Sequence, residues 1–249
     1  MTSGHGNALR TVAFGDSDVA TWGVVVAAGG RPVALIAGAD GSIATLDATL
    51  EAAGDDWRIA ADGVELVVAP VAEPVQSLGS EAAQGGFDQL CRVEGRFTVD
   101  GAERAVASLG LRSVRDAGLE TDGFEAMRQV LAWFEPADGL ALTAFRPRGA
   151  KGQDADVISA TVLNSEGSAP VEDPRLSTAY APDGWVARAG LELWLGGDDD
   201  QQILRRAAGE AAGARGAVTA GDLELRAEPF RWHSGGRDGA GVYLLASRR

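Results

Sequence analysis

The chain has 249 residues, 45% of them hydrophobic, and a formal net charge of −14. That acidity argues against nucleic acid and against an anionic membrane surface as partners, since both need clustered Lys and Arg. One cysteine, Cys91, excludes an internal disulfide, and with only two histidines there is no ligand set for a structural zinc ion, so neither metal nor cofactor is expected.

The longest apolar runs, Thr21 to Gly29 and Pro32 to Gly38, are too short to cross a bilayer as helices. Residues 1–7 lack a basic stretch followed by an apolar one, so no membrane insertion and a cytoplasmic location are expected. Lys151 is the sole lysine, in a Gly-flanked loop, which leaves little room for Schiff-base chemistry.

Seven Asp-Gly pairs, at 40–41, 62–63, 100–101, 122–123, 138–139, 183–184 and 238–239, mostly separate runs of alternating apolar and polar residues. Asp-Gly favours the two-residue hairpin turn, because both central residues need positive φ. The chain therefore reads as all-β, a sandwich or barrel of antiparallel hairpins. In chain order, strands are expected at 21–28, 32–37, 42–50, 57–60 and 64–69. Residues 70–86, with Pro70, Pro74, Gly79, Gly85 and Gly86, break the pattern. They divide the chain into an N-terminal β half (1–80) and a C-terminal β half (86–249).

A hairpin over 87–111 turns at Asp100-Gly101, with Cys91, Val93, Phe97 and Val99 on one face and Arg92, Glu94 and Arg96 on the other. A second turns at Asp138-Gly139, between strands 128–135 and 140–146. Further strands are expected at 156–163 and 185–195. Residues 198–213 read as one short α-helix, near 200–212: Asp198 to Asp200 suit its N-terminus, and Ile203, Leu204, Ala207, Ala208 and Ala211 share a face. Strands at 222–228 and 240–247 close the chain.

No strong catalytic motif is present. His233, followed by Ser234-Gly235-Gly236, is the histidine best placed for general acid/base work. Asp154 and Asp156 share a strand face, where two carboxyls can divide acid and base roles. Of six tryptophans, Trp133, Trp194 and Trp232 are candidates to line a ligand pocket, although tryptophan ordinarily fills cores.

The stretch Cys91-Arg-Val-Glu-Gly-Arg-Phe-Thr-Val-Asp-Gly-Ala-Glu, with Ser108-Leu-Gly-Leu-Arg112, resembles the strand-turn-strand opening of a domain in the hydroxyneurosporene synthase-like, AttH-type family. Val130-Leu-Ala-Trp-Phe, Ala144-Phe-Arg-Pro-Arg-Gly and the closing Gly239 to Arg249 extend the likeness. The resemblance implies two lipocalin-like, barrel-type halves. It also implies a pocket for an apolar small molecule of terpenoid or lipid type, or else a hydratase, cyclase or isomerase acting on one. Many relatives follow the Gly-x-Arg segment with an Asp-His-Ser-Trp-Gly type motif, whereas here Ser113-Val-Arg-Asp-Ala-Gly118 follows. Arg112 carries over as a ligand-binding candidate, with Arg115 and Asp116 as substitutes for the missing groups. A third reading is a non-catalytic interaction protein. The enzyme reading requires an acid, from Asp116, Asp154, Asp156 or His233, to converge with two aromatics on one cavity.

Overall fold

The computed structural model describes residues 8–28, 31–77, 86–115, 124–151, 156–164, 171–196, 203–220 and 223–248. The described residues hold nineteen strands and no helix, and so none that is long and apolar enough to cross a membrane. The first ten strands are β1 (Leu9–Gly15), β2 (Trp22–Ala28), β3 (Val33–Ala37), β4 (Ile43–Asp47), β5 (Thr49–Ala53), β6 (Asp56–Ala61), β7 (Val64–Pro70), β8 (Val75–Gln76), β9 (Gly86–Val99) and β10 (Ala102–Arg115). They form one antiparallel sheet in the order β4-β3-β2-β1-β10-β9-β7-β6-β5, with β8 paired to β9. Its two end strands, β4 and β5, are separated in sequence only by buried Ala48, so the sheet curls into a nearly closed barrel.

The second sheet comprises β11 (Phe124–Glu135), β12 (Asp138–Pro147), β13 (Val157–Leu163), β14 (Val171–Tyr180), β15 (Val186–Leu195), β16 (Ile203–Ala211), β17 (Gly216–Ala220), β18 (Leu223–Ser234) and β19 (Arg237–Arg248). Its order is β13-β12-β11-β19-β18-β16-β15-β14, with β17 on β18. The ends β13 and β14 again lie side by side, making a second nearly closed barrel.

Three apolar clusters follow from the alternation of the strands. Phe14, Val25, Ile36, Trp57, Val93 and Phe97 fill the first barrel, and Leu142, Val162, Leu191, Phe230, Trp232 and Tyr243 fill the second. The third cluster joins the two sheets, with Trp22, Val24, Leu90 and Leu111 against Leu131, Trp133, Val242 and Leu244. β9 shows the consequence: from Cys91 to Val99 burial alternates, as the sequence predicts, except at exposed Gly95, whereas Asp88 to Cys91 is buried on both faces. One face of that segment looks into the first barrel and the other meets the second sheet. The 87–111 hairpin pairs with β1 and β7, so its hydrogen bonds lie in the first sheet, although the sequence groups it with the C-terminal half.

The expected helix is a correction. Residues 203–211 form strand β16, hydrogen-bonded to β15 and β18. Ala, Leu, Arg and Glu favour helix, but that preference is weak against ladder bonds on both edges. Buried Ala207 and Gly209 reveal the period of two. A Cβ on Gly209 would sit 2.7 Å from Cδ2 of Trp232, so glycine is what lets the indole lie against this strand. Asp198 to Asp200 lie outside the described residues, as does the Asp122-Gly123 pair. The turns expected at Asp138-Gly139 and Asp238-Gly239 fall two and three residues earlier, at Pro136-Ala137 and Gly235-Gly236. Gly235 and Gly236 both have positive φ (59° and 79°), and so meet the demand of a two-residue hairpin themselves.

Candidate functional site

Phe87, Gln89 and Cys91 of β9 and Arg112 of β10 share the face that looks into the first barrel, and Gln89 lies directly opposite Arg112 in the register. The guanidinium is organised by neutral groups. Nε donates to Gln89 Oε1 at 2.8 Å and Nη1 donates to the Asp55 carbonyl at 2.7 Å. Gln89 is itself oriented by donating from Nε2 to the Ala72 carbonyl at 2.7 Å. Two rings adjoin the charge on one side: its central carbon is 4.9 Å from the centroid of Trp57 and 5.9 Å from that of Phe87. Burial pulls the Arg112 pKa below its ordinary value and outweighs the opposing effect of Cys91, Asp56 and Asp55. The Cys91 thiol is pushed up to about 12 by burial, which makes it inert as a nucleophile.

Above this charge a cleft of about 630 Å³ opens, lined by Pro70, Val71, Ala72, Pro74, Phe87 and Arg112, with Gln89, Asp55 and Glu73 beside them. The size, and a lining shared about equally between apolar and convergent polar groups, suit an amphiphilic small molecule.

A second polar group lies between the sheets, on the opposite face of the same hairpin. Asp88 Oδ2 accepts from Arg115 Nη2 at 2.9 Å and from Thr161 Oγ1 at 2.7 Å, all three being buried. Gln129 Nε2 donates to Ser113 and Thr143 hydroxyls at 3.2 Å each. Asp88 Oδ1, Gln129 Oε1 and Ser159 Oγ are buried there without partners.

The other candidates do not converge. Asp156 has a buried carboxylate held by ion pairs to the partly exposed Arg128 and Arg146. His233 is exposed and meets Asp238 Oδ1 through Nδ1 at 3.0 Å, at the tip of the β18–β19 hairpin. Trp133 is buried between the sheets, Trp232 is buried in the second barrel stacked on Phe230 at 5.6 Å, and Trp194 is half-buried on β15. Arg115 serves the seam. Asp116 and Asp154 lie outside the described residues.

Sequence reasoning missed Gln89, Trp57 and Glu228. For Gln89 a signal existed: the alternation that turns Cys91 and Val93 inward also turns Gln89 inward, a polar side chain at a core position. Glu228 on β18 is buried, accepts from the Val186 amide at 2.7 Å through Oε1, and leaves Oε2 without a partner. Burial pushes its pKa up to about 7. Its register partner is Tyr243, whose hydroxyl is 3.1 Å from that of Thr178.

No family model and no curated protein sequence matches the chain. Solved structures do. CghA with Sch210972 superposes at TM-score 0.65 and 12% identity, covering 98% of this chain and 89% of that one. An AttH-like protein of Nitrosomonas europaea gives TM-score 0.66 at 10% identity, covering 98% and 93%. Kievitone hydratase of Nectria haematococca gives 0.58 at 10% identity, covering 97% and 88%. At such identities the likeness is one of fold: the chain has the lipocalin-like two-barrel architecture of these AttH-like, CghA and kievitone hydratase structures.

Proposed function

We propose that this protein binds an apolar small molecule, terpenoid or lipid-like, in the cleft at the mouth of the first barrel. The observation that supports the reading is the cleft itself: proline, valine, alanine and phenylalanine around one pre-oriented guanidinium. The fold neighbour solved with Sch210972 is consistent with a two-barrel scaffold that accommodates a small organic molecule. The test is a thermal-shift panel of terpenoid alcohols and fatty alcohols on the wild type and on Ala72→Trp, which fills the cleft from an accessible loop. A ligand at 100 times its dissociation constant stabilises the native state by about 2.7 kcal/mol. A shift in the wild type that Ala72→Trp removes supports the reading; an equal shift in both proteins moves the site elsewhere, and no shift at all rejects it.

A second reading, acid-catalysed hydration or cyclisation of an alkene, is favoured by Glu228. Its carboxyl holds a proton near neutral pH and shares the second barrel with Phe230, Trp232 and Tyr243, whose faces suit a developing cation. One fold neighbour is itself a hydratase. Incubation with linear terpenoids in ¹⁸O-water, read by mass spectrometry, decides it. A labelled hydrate, or an unlabelled cyclic isomer of the substrate, that is lost in Glu228→Gln supports this reading, and absence of both products in the wild type rejects it.

A further inference from the structure

Arg112 is a buried cation without an anion. Among the described residues no carboxylate lies within 4.0 Å of its guanidinium, and its two hydrogen bonds go to a side-chain amide and a backbone carbonyl. Other buried arginines differ: Arg115 meets Asp88, and Arg205, less deeply buried, meets Asp138. A buried charge is ordinarily paired, because neutral acceptors replace only part of its hydration. A guanidinium carries five N–H donors in a rigid fork. Two are used here, by Gln89 and Asp55, which leaves three, including both on Nη2.

The fork is also held in place. Gln89 is fixed by the Ala72 carbonyl, and the Trp57 and Phe87 rings pack together on one side of the charge, with their centroids 6.3 Å apart. Planar, bidentate recognition is what distinguishes arginine from lysine at carboxylate sites.

We infer that the cleft selects an amphiphilic carboxylate: its two oxygens dock on the free donors of Arg112, and its apolar body lies along Pro70, Val71, Ala72 and Phe87. This rests on the cleft being the ligand site, and it adds the chemical class of the head group. Glu73 also lines the cleft and is exposed, so it opposes an incoming anion. Asp55 and Asp56, which act directly on the Arg112 charge, add to the opposing field.

The probes are octanoate and its neutral isostere octanamide, titrated calorimetrically at pH 7 into the wild type, Arg112→Met, Glu73→Gln and Ala72→Trp. The expected result is that the wild type binds octanoate at least tenfold tighter than octanamide. Arg112→Met should bring the two together, and Glu73→Gln should strengthen octanoate alone. The wild-type ratio needs no variant, so it holds even if Arg112→Met fails to fold. Equal binding of the two probes, lost in Ala72→Trp, overturns the carboxylate inference and leaves the apolar cleft standing. Binding of neither probe removes both. Weaker octanoate binding by Glu73→Gln would overturn the assigned repulsion and identify Glu73 as part of the closed site.

Discussion

Replacing Glu228 by glutamine should flatten the pH dependence of stability between pH 4.5 and 7. The carboxyl is buried on β18, and burial raises its pKa from 4.5 to about 7. In the unfolded chain it ionises near the ordinary value. Between the two values the native state holds a proton that the unfolded state has released, so native stability falls as pH rises and levels off above about 7. Each tenfold change in proton affinity between the two states is worth about 1.36 kcal/mol, which sets an upper bound of about 3 kcal/mol. The opposing pull of the nearby Arg215 and Arg226 is already contained in the value of about 7, and we expect about 1–3 kcal/mol. Glutamine retains the acceptor for the Val186 amide, and its added N–H₂ imposes a cost that does not vary with pH. The quantity to read is therefore the slope, not the offset. Urea melts at half-unit steps from pH 4.5 to 8 should show wild type losing about 1–3 kcal/mol relative to Glu228→Gln. Parallel profiles for the two proteins would refute the assignment.

Asp88→Asn should cost about 3 kcal/mol or more, since it leaves Arg115 charged and buried with 2% side-chain exposure, whereas Asp88→Leu with Arg115→Met should recover most of the loss in urea denaturation. Gly209→Ala should destabilise by about 1–3 kcal/mol, because the added Cβ meets Trp232 Cδ2 and Cε3 at 2.7 Å, and a shift in tryptophan emission should accompany it. His233→Ala should change stability by less than about 0.5 kcal/mol and leave ligand binding unaltered, as expected of an exposed hairpin-tip side chain; a large loss of binding would return this histidine to the site.

The sequence by itself determined what depends on near neighbours. Asp100 and Gly101 have φ of 51° and 75°, the conformation their residue types tolerate, so that turn was readable from two letters. Alternation likewise predicted which side chains of β9 turn inward from Cys91 onward. Tertiary structure decided what depends on distant partners. Asp138 is not a turn residue because Arg205 and Arg237, 67 and 99 positions away, capture its carboxylate at 2.6 Å in the strand. Residues 203–211 are a strand because two neighbouring strands offer them hydrogen bonds that no local propensity records. The candidate site is of the same kind. Arg112 was legible as a candidate, but its character arises from Trp57 on β6, Gln89 on β9 and the Asp55 carbonyl at the turn before β6, brought together only when the sheet curls. Glu228 was not legible at all, since a raised carboxyl pKa comes from desolvation by residues remote in the chain.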